Sequence, residues 1–565
     1  MQGRKVAIFL VMIFVISIVP ITKIGINRAE TIDTSVKWSG TKEINDDVII
    51  KSGAQLTIED GAIININSDI SISVEGTLII EGTTSNGVNI IANIPQQSEL
   101  GVKSTWEGIQ IQSTGIAQIN EMNLNGSRIG VFADLGSTSN IKNSTISDSI
   151  QGVVNFGTAE VLGLTCENIQ NNCLINEGAM TAEEINSNNS GMLLKHTGSG
   201  TFSDLVAVNT GAVVEVFSNA SGTINSIDAT NSGLVVRAYG DQSGMYYSGI
   251  QSNFATQLFD FSNSDSLTID DIQGTSIDSV LLAKSVNSLE ISNMEISDSE
   301  SVGLAMEIST SDYVNISDTT INGYGQTFLF SGGGTFNLDD TTFFSNGKVG
   351  QLSSSILSSE EGEWEGAAHG LHTQHSSVTV KNVNISVGEN HGTALRILGG
   401  SLLVLGELNL THQAQWSDST SIGLQLIWSY TIGDTVNIGG FSTGGSFVPV
   451  MGSENELIDG VIQGAGMMHT YYTYSYDQPI KYHVWKGTED GYHPYGYDEN
   501  YPTFWGINEG LTMFSDIKSC EDATSTTLPD LNNDNDITEK FNIDCFDGSS
   551  FNGYKMYEWG HVEPW

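Results

Sequence analysis

A short phrase recurs along this chain about every 22 residues, and this periodicity constrains the fold more than any other feature. Its frame is apolar-x-x-apolar-x-apolar, as at Ile291, Met294 and Ile296. Phrases that fit this frame, fully or in part, begin at residues 119, 141, 161, 181, 202, 224, 247, 269, 291, 316 and 338. Self-similarity at a fixed period of this length is typical of solenoids, in which each repeat packs on its neighbours.

The length and pattern of the repeat favour three short strands and their turns in each coil. Successive coils then stack at the interstrand spacing of about 4.8 Å. Leucine-rich repeats have a similar length, but their L-x-x-L-x-L-x-x-N run and a helical half-repeat are absent from the sequence. The sequence therefore predicts an all-β chain that forms a parallel β-helix of roughly 13–16 coils.

A polar pair interrupts most phrases, and its second member is Asn, Asp or Gly in nine coils. The positions are Asn143, Gly163, Asp204, Gly249, Asp271, Asn293, Asp318, Asp340 and Asn382. These residue types accept a left-handed backbone conformation, so each pair is predicted to be a sharp corner between two strands. The doublets Asp270-Asp271 and Asp339-Asp340 fall in this phrase, and backbone geometry explains them better than hydrolase chemistry does.

The segment DDVIIKSGAQLTIEDGAIININSDISISVEGTLIIEGT (46–83) and the phrase TWEGIQI (105–111) precede the regular repeats. Together with the repeat and its corners, they resemble the pectin-lyase-like superfamily of right-handed parallel β-helices, which are secreted or surface proteins. The resemblance covers roughly residues 35–450. It implies the fold, but that fold carries polysaccharide lyases, glycoside hydrolases, adhesins and scaffolds, so it does not select an activity.

The N-terminus has the pattern of an export signal, with MQGRK followed by an uncharged, mostly apolar run over residues 6–22. Two alternatives stay open for residues 1–29: cleavage as a signal peptide, or retention as a membrane anchor at the lower length limit for a spanning helix. Either places the remaining chain outside the cytoplasm, secreted or at the cell surface.

The net charge of −45 argues against nucleic acid and anionic lipid as partners. Membrane contact is expected only through the N-terminal segment, if that segment is retained. The acidic surface also suits divalent cations, and calcium is the possible cofactor. Of four cysteines, Cys166 with Cys173 and Cys520 with Cys545 are predicted to form local disulfides, although the first two could instead be small buried residues.

The strand after each corner and loop carries a polar residue that is predicted to point outward. This column runs Asp134, Asn155, Asn176, Lys195, Glu215, Arg237, Asp260, Lys284 and Glu307. Its charges alternate from Lys195 onward, which favours a ladder of ion pairs. The alternative is a catalytic row, in which Lys195 or Arg237 serves as base beside Asp260.

The motif HGLHTQH places His369, His372 and His375 near Glu363 and Glu365. Zinc accepts such ligands, but a spacing of three on a strand is expected to place neighbours on opposite faces. A metal site is therefore the less favoured interpretation of this motif.

Residues 451–565 lose the repeat and become rich in aromatic residues. This block is predicted to be a cap over the open end of the solenoid, or a surface on which sugars stack. The candidate ligand-binding residues are Tyr472, Tyr474, Tyr476, Trp485, Tyr495 and Trp505. Near the end, Asp530, Asn532, Asp534 and Asp536 imitate the start of a calcium loop, but Asn535 and Phe541 depart from the EF-hand pattern.

These features favour an exported β-helix protein that binds, adheres or is displayed, with glycans or cell surfaces as partners. A polysaccharide lyase or glycoside hydrolase of the same fold is the first alternative, and a structural envelope component is the second. The sequence does not decide whether the protein is an enzyme.

Overall fold

The computed structural model describes residues 29–93, 105–242, 245–297, 302–388, 391–413, 421–427, 429–439, 441 and 443–448, with short strands beyond them. These residues form an all-β parallel solenoid of about 17 turns of about 22 residues each. The predicted fold class is thus confirmed, and the number of coils slightly exceeds the predicted 13–16.

The strands follow one another along the chain with short connections. The first part contains β1 (Glu30–Ile32), β2 (Val36–Trp38), β3 (Thr41–Ile44), β4 (Val48–Ile50), β5 (Gln55–Glu59), β6 (Ile63–Ile66), β7 (Ser71–Val74), β8 (Thr77–Glu81), β9 (Val88–Ala92), β10 (Gly108–Ile111), β11 (Ile116–Asn120), β12 (Met122–Asn125), β13 (Ile129–Ala133), β14 (Thr138–Ser147), β15 (Gln151–Asn155), β16 (Thr158–Glu167), β17 (Asn172–Asn176), β18 (Ala179–Asn188), β19 (Met192–His196), β20 (Ser199–Val208) and β21 (Ala212–Val216). The second part contains β22 (Ser221–Tyr239), β23 (Met245–Ser262), β24 (Ser266–Lys284), β25 (Ser288–Ser297), β26 (Leu304–Ser309), β27 (Tyr313–Ser331), β28 (Thr335–Ser353), β29 (Ile356–Gly366), β30 (His369–Gln374), β31 (Ser377–Val387), β32 (Thr393–Leu398), β33 (Ser401–His412), β34 (Ile422–Ile427), β35 (Tyr430–Gly439), β36 (Thr443–Val448), β37 (Gly460–Gln463), β38 (Met468–Thr470), β39 (Leu511–Thr512), β40 (Tyr554–Trp559) and β41 (His561–Pro564).

Each coil contributes one segment to each of three faces. In the coil around residue 291, face A is 288–292, face B is 294–297 and face C is 304–309. Equivalent residues stack in register, so Ile269 lies beside Ile291, which lies beside Ile316. The apolar positions of the repeat therefore form continuous columns inside the solenoid.

The corner between faces A and B is where the repeat predicted it. All nine predicted corner residues have φ between 46° and 68°. The sequence did not identify Glu121, Glu184, Ser226 and Glu361, which adopt the same left-handed conformation in other coils. Corners also bond between coils, because Ser292 Oγ and Asn293 Nδ2 donate to Asp270 Oδ1 at 2.6 Å and 2.7 Å. These hydrogen bonds lower the pKa of the Asp270 carboxyl.

Part of the predicted outward column on face C was wrong. Asn155 and Asn176 are fully buried, and Asn155 Nδ2 donates to Asn176 Oδ1 at 2.9 Å inside the solenoid. Asn176 Nδ2 then lies 3.2 Å from His196 Nδ1, and burial lowers the pKa of that histidine. These two face C strands place four buried residues in succession, which breaks the simple alternation of inward and outward positions.

The true outward column contains Lys195, Glu215, Arg237, Asp260 and Glu307. Leu282 lies between the last two, while Lys284 lies two residues further along its strand and aligns with Ser309. Asp134 falls just beyond the end of its strand, after Ala133. Four members of the predicted column, Asp134, Asn155, Asn176 and Lys284, thus do not belong to it.

Aromatic side chains of the core cluster around residues 328–364. Phe328, Phe330, Phe336, Phe343 and Trp364 form a chain of ring contacts with centroids 4.5–6.1 Å apart. Gly350 allows this packing, because a Cβ there would lie 2.1 Å from the Phe328 ring. Tightly packed aromatic rings therefore support this stretch of the solenoid from inside.

The disulfide Cys166–Cys173 is present and joins face B to the next face C segment. The Cys520–Cys545 pair and the predicted export signal in residues 1–28 lie outside the described residues. None of the described residues forms a helix with the length and apolarity that crossing a membrane requires.

Parallel pairing continues past residue 450 to β38, and then the pairing direction changes. Met468 in β38 pairs antiparallel with Trp559 in β40, and β40 pairs antiparallel with β41. Most of the predicted cap, 451–565, lies outside the described residues, so its role stays a prediction.

Candidate functional site

Two groups of ionisable residues lie on the outward side of face C, and the first is the charge ladder: Lys195, Glu215, Arg237 and Asp260. Arg237 Nη1 lies 2.8 Å from Glu215 Oε1, and Arg237 Nε lies 2.9 Å from Asp260 Oδ2. Lys195 Nζ lies 5.2 Å from the centre of the Phe217 ring. The structure thus brings the three catalytic candidates together on one column and supports ion pairing there, while their catalytic role stays a prediction.

The second group is the basic cluster: Lys348, His369, His372 and Arg396. Lys348 and His369 are neighbours on adjacent strands, as are His372 and Arg396. The rings of His369 and His372 have centroids 4.7 Å apart. Four basic groups therefore share three successive rungs of face C.

The expectation that His369 and His372 lie on opposite faces was wrong. Strand β30 buries Gly370 and Leu371 in succession, so both histidines lie on the outward side of these two residues. The same two-residue step places both Lys348 and Gln351 outward on β28. His375 lies at a corner with φ 49°.

The cations of the basic cluster differ from most other cations of the described structure. Within the described ranges, ion pairs bind Lys37, Lys42, Lys51, Arg128, Lys142, Arg237 and Lys381 to carboxylates. Neither Lys348 nor Arg396 has such a pair among those residues. Lys348 Nζ instead lies 3.5 Å from Gln351 Oε1, and burial and the charge of Arg396 lower the pKa of its ammonium.

His372 lies at the centre of the basic cluster. Burial, together with the charges of Lys348, His369 and Arg396, lowers the pKa of His372 to about 3. Its Nε2 atom is buried and has no hydrogen-bond partner within the described structure. His369 is better satisfied, because its Nδ1 accepts a hydrogen bond from the Thr393 amide at 3.2 Å. At neutral pH, His372 is therefore an uncharged ring with an unsatisfied nitrogen.

An open groove of about 500 Å³ follows the turn from face B to face C, in a stretch of coils that includes those of the basic cluster. Its lining residues are Asn322, Phe344, Ser345, Asn346, Glu365, Ala367, Gly388 and Gln413. The Phe344 side chain is 38 % exposed, and Ser345 Oγ donates to the Lys348 carbonyl at 2.7 Å. The chain thus passes from the groove into the strands of the basic cluster within a few residues.

Some of the remaining predicted sites lie within the described residues, and others lie outside them. Among the described residues, no group of three His, Cys, Asp or Glu side chains is arranged to hold a metal ion. Glu363 accepts a hydrogen bond from Asn384 on face B, and Glu365 lines the groove. The six aromatic candidates from Tyr472 to Trp505 and the calcium candidates Asp530, Asn532, Asp534 and Asp536 lie outside the described residues.

Sequence reasoning missed both the groove and the basic cluster. A detectable signal existed, because Gln351, His372 and Arg396 recur at intervals close to the repeat length. The groove gave a weaker signal, since its lining comes from five successive coils. No known protein family, curated protein or solved structure matches the chain.

Proposed function

We propose that this chain is a pectin-lyase-like β-helix that is exported or displayed at the cell surface and binds glycans in the face B to face C groove. The observation that carries the proposal is the composition of this groove. An exposed aromatic ring, Phe344, lies with the side chains of Asn322, Asn346, Glu365 and Gln413 around one open channel.

Such a lining matches the two kinds of surface that a sugar presents. The face of an aromatic ring packs on sugar C–H groups. Amide and carboxylate groups exchange hydrogen bonds with hydroxyls, because an amide both donates and accepts and a carboxylate accepts. Asn346 already donates to the Gly323 carbonyl at 2.5 Å, which fixes its orientation and leaves its oxygen to accept.

Three features support the exported location. The N-terminal sequence has the pattern of an export signal. The Cys166–Cys173 disulfide is compatible with an oxidising compartment. The net charge of −45 favours solubility in saline surroundings.

Affinity electrophoresis of the full chain in gels that contain neutral or acidic polysaccharides tests the proposal. The variant Phe344→Ser removes the ring from the groove, and we expect about a fivefold loss of affinity from lost stacking. Tyr313→Ser is the matched control, because Tyr313 is an exposed aromatic residue on face A at 41 % exposure. Equal effects of both variants would contradict the assignment to the groove.

The same polysaccharides, incubated with the protein and analysed by size-exclusion chromatography, test the enzymatic alternative. A binding protein leaves the polymer length unchanged over time. The incubation is done both with and without added calcium. Shortening of a polymer in either condition would instead assign a lyase or hydrolase activity. The products would then separate the two, because a lyase leaves an unsaturated sugar that absorbs ultraviolet light.

A further inference from the structure

We propose that Lys348, His372 and Arg396 of the basic cluster bind an anionic oxygen group, a carboxylate or a sulfate, carried by an acidic glycan. The inference rests on the proposed function and names the class of sugar. Its basis is an exception to the electrostatics of the molecule. The chain is strongly acidic, yet the two cations Lys348 and Arg396 occur together beside His372 without an acidic partner among the described residues.

The geometry suits one oxygen-rich anion. Lys348, His372 and Arg396 lie on the successive strands β28, β30 and β32, so their positions span two strand spacings, about 10 Å. A carboxylate or sulfate oxygen accepts charge-assisted hydrogen bonds from lysine ammonium and arginine guanidinium groups. Arginine adds a planar fork that matches two oxygens of the same anion.

His372 supplies the second, independent observation. Its buried Nε2 atom has no partner in the described structure. A buried polar atom without a hydrogen bond costs free energy, and such atoms in native proteins call for an explanation. In the tautomer that carries its proton on Nε2, this atom is a hydrogen-bond donor, and a bound anion supplies the missing acceptor.

A solvated basic patch would not explain this arrangement. Lys348 is half-buried beside Arg396, so the protein holds two like charges close together where water screens them poorly. An anion between them relieves this repulsion. Nucleic acid is a poorer fit than an acidic glycan, because its dense phosphate charge is repelled by the rest of the acidic surface.

A thermal-shift experiment tests the anion site without any glycan. The full chain is heated in sodium sulfate or sodium chloride at matched ionic strength. We expect sulfate to raise the melting temperature of the wild type above its value in chloride, and Arg396→Gln or Lys348→Gln to abolish that difference. The matched control is Lys284→Gln, since Lys284 is another exposed face C cation without an ion pair in the described structure, and it should retain the difference.

Binding to three polymers identifies the group and its carrier. The probes are alginate, which carries carboxylates, dextran sulfate and neutral dextran, with duplex DNA as a further arm. We expect alginate or dextran sulfate to bind at least tenfold more tightly than dextran, and Arg396→Gln to reduce this binding about tenfold while Lys284→Gln leaves it unchanged. Preference between the two acidic polymers assigns carboxylate or sulfate.

The outcomes separate the two proposals. Equal binding of dextran and the acidic polymers, or equal effects of Arg396→Gln and Lys284→Gln, would overturn the anion site and leave glycan binding standing. A sulfate shift that Arg396→Gln abolishes, without retention of any polysaccharide, would support the anion site and overturn the proposed function. Preference for DNA over both acidic polymers would overturn the acidic glycan as the ligand.

Discussion

Arg237 and Arg396 occupy the same outward column of face C, yet their surroundings are opposite. Arg237 lies between Glu215 and Asp260 and pairs with both. Arg396 follows His372 on the column, and its charge also lowers the pKa of Lys348. The backbone position is equivalent, so the residues one coil before and after decide the role. Ion pairs hold the ladder together, whereas Lys348 and Arg396 have no carboxylate partner among the described residues.

The largest expected effect comes from His372, through the pH dependence of stability. Its folded pKa of about 3 lies below the ordinary value of 6.5, so the unfolded chain takes up the proton first. The contribution of the neutral His372 ring to stability is complete above pH 6.5 and is lost as the pH falls towards 3. Replacing the ring in His372→Leu should abolish a loss of about 3 kcal/mol at pH 4.

Urea denaturation of the wild type and His372→Leu at pH 7 and pH 4 measures this difference. At pH 7 the variant should be at least as stable as the wild type, because it removes an unsatisfied buried nitrogen. Both proteins retain His196, a second buried histidine with a lowered pKa, so its contribution to the acid-induced loss is the same in both. An equal loss of stability in the two proteins on acidification would show that His372 titrates normally.

A second prediction sharpens the contrast between the two arginines. Arg237→Ala should destabilise the solenoid by about 1–2 kcal/mol, since it removes two partly exposed ion pairs and leaves two carboxylates without a cation. The urea midpoint measures this change, and the loss should diminish in high salt. A stability equal to that of the wild type at low salt would contradict the assignment of a ladder.

A corner outside face C provides a reference for purely structural changes. Asn293→Val should cost about 1–2 kcal/mol through left-handed strain, because Asn293 has φ 53°. The lost hydrogen bond to Asp270 adds about 1 kcal/mol. Asn293→Gly retains the conformation and should lose only the second part, and polysaccharide binding should be unchanged in both variants.

The smallest expected effect is a gain in stability, opposite in sign to the loss expected for Arg237→Ala. Arg396→Gln should stabilise the protein by about 0.5 kcal/mol at low ionic strength, because it removes repulsion within the basic cluster. This gain should disappear as salt increases. A clear loss of stability would instead indicate that Arg396 has a structural partner like that of Arg237.

Much of the fold could be predicted from the sequence, because its determinants lie within single repeats. The period of about 22 residues, the corner residues and the Cys166–Cys173 disulfide all appear as local patterns. Most of the charge ladder was also predictable, since its residues recur at the repeat length. The outward column failed at Asn155 and Asn176, because successive buried residues on face C break the alternation that the prediction assumed.

The candidate site was less predictable, because its neighbours are distant in sequence. The amino-acid sequence by itself determined the solenoid, since period and corner chemistry act on the backbone of each coil. Only the tertiary structure decided that Lys348, His372 and Arg396 meet without an acidic partner among the described residues and that Phe344 faces a groove. The physical reason is register: which side chains touch depends on the length of each connection and on which residues of each strand turn inward.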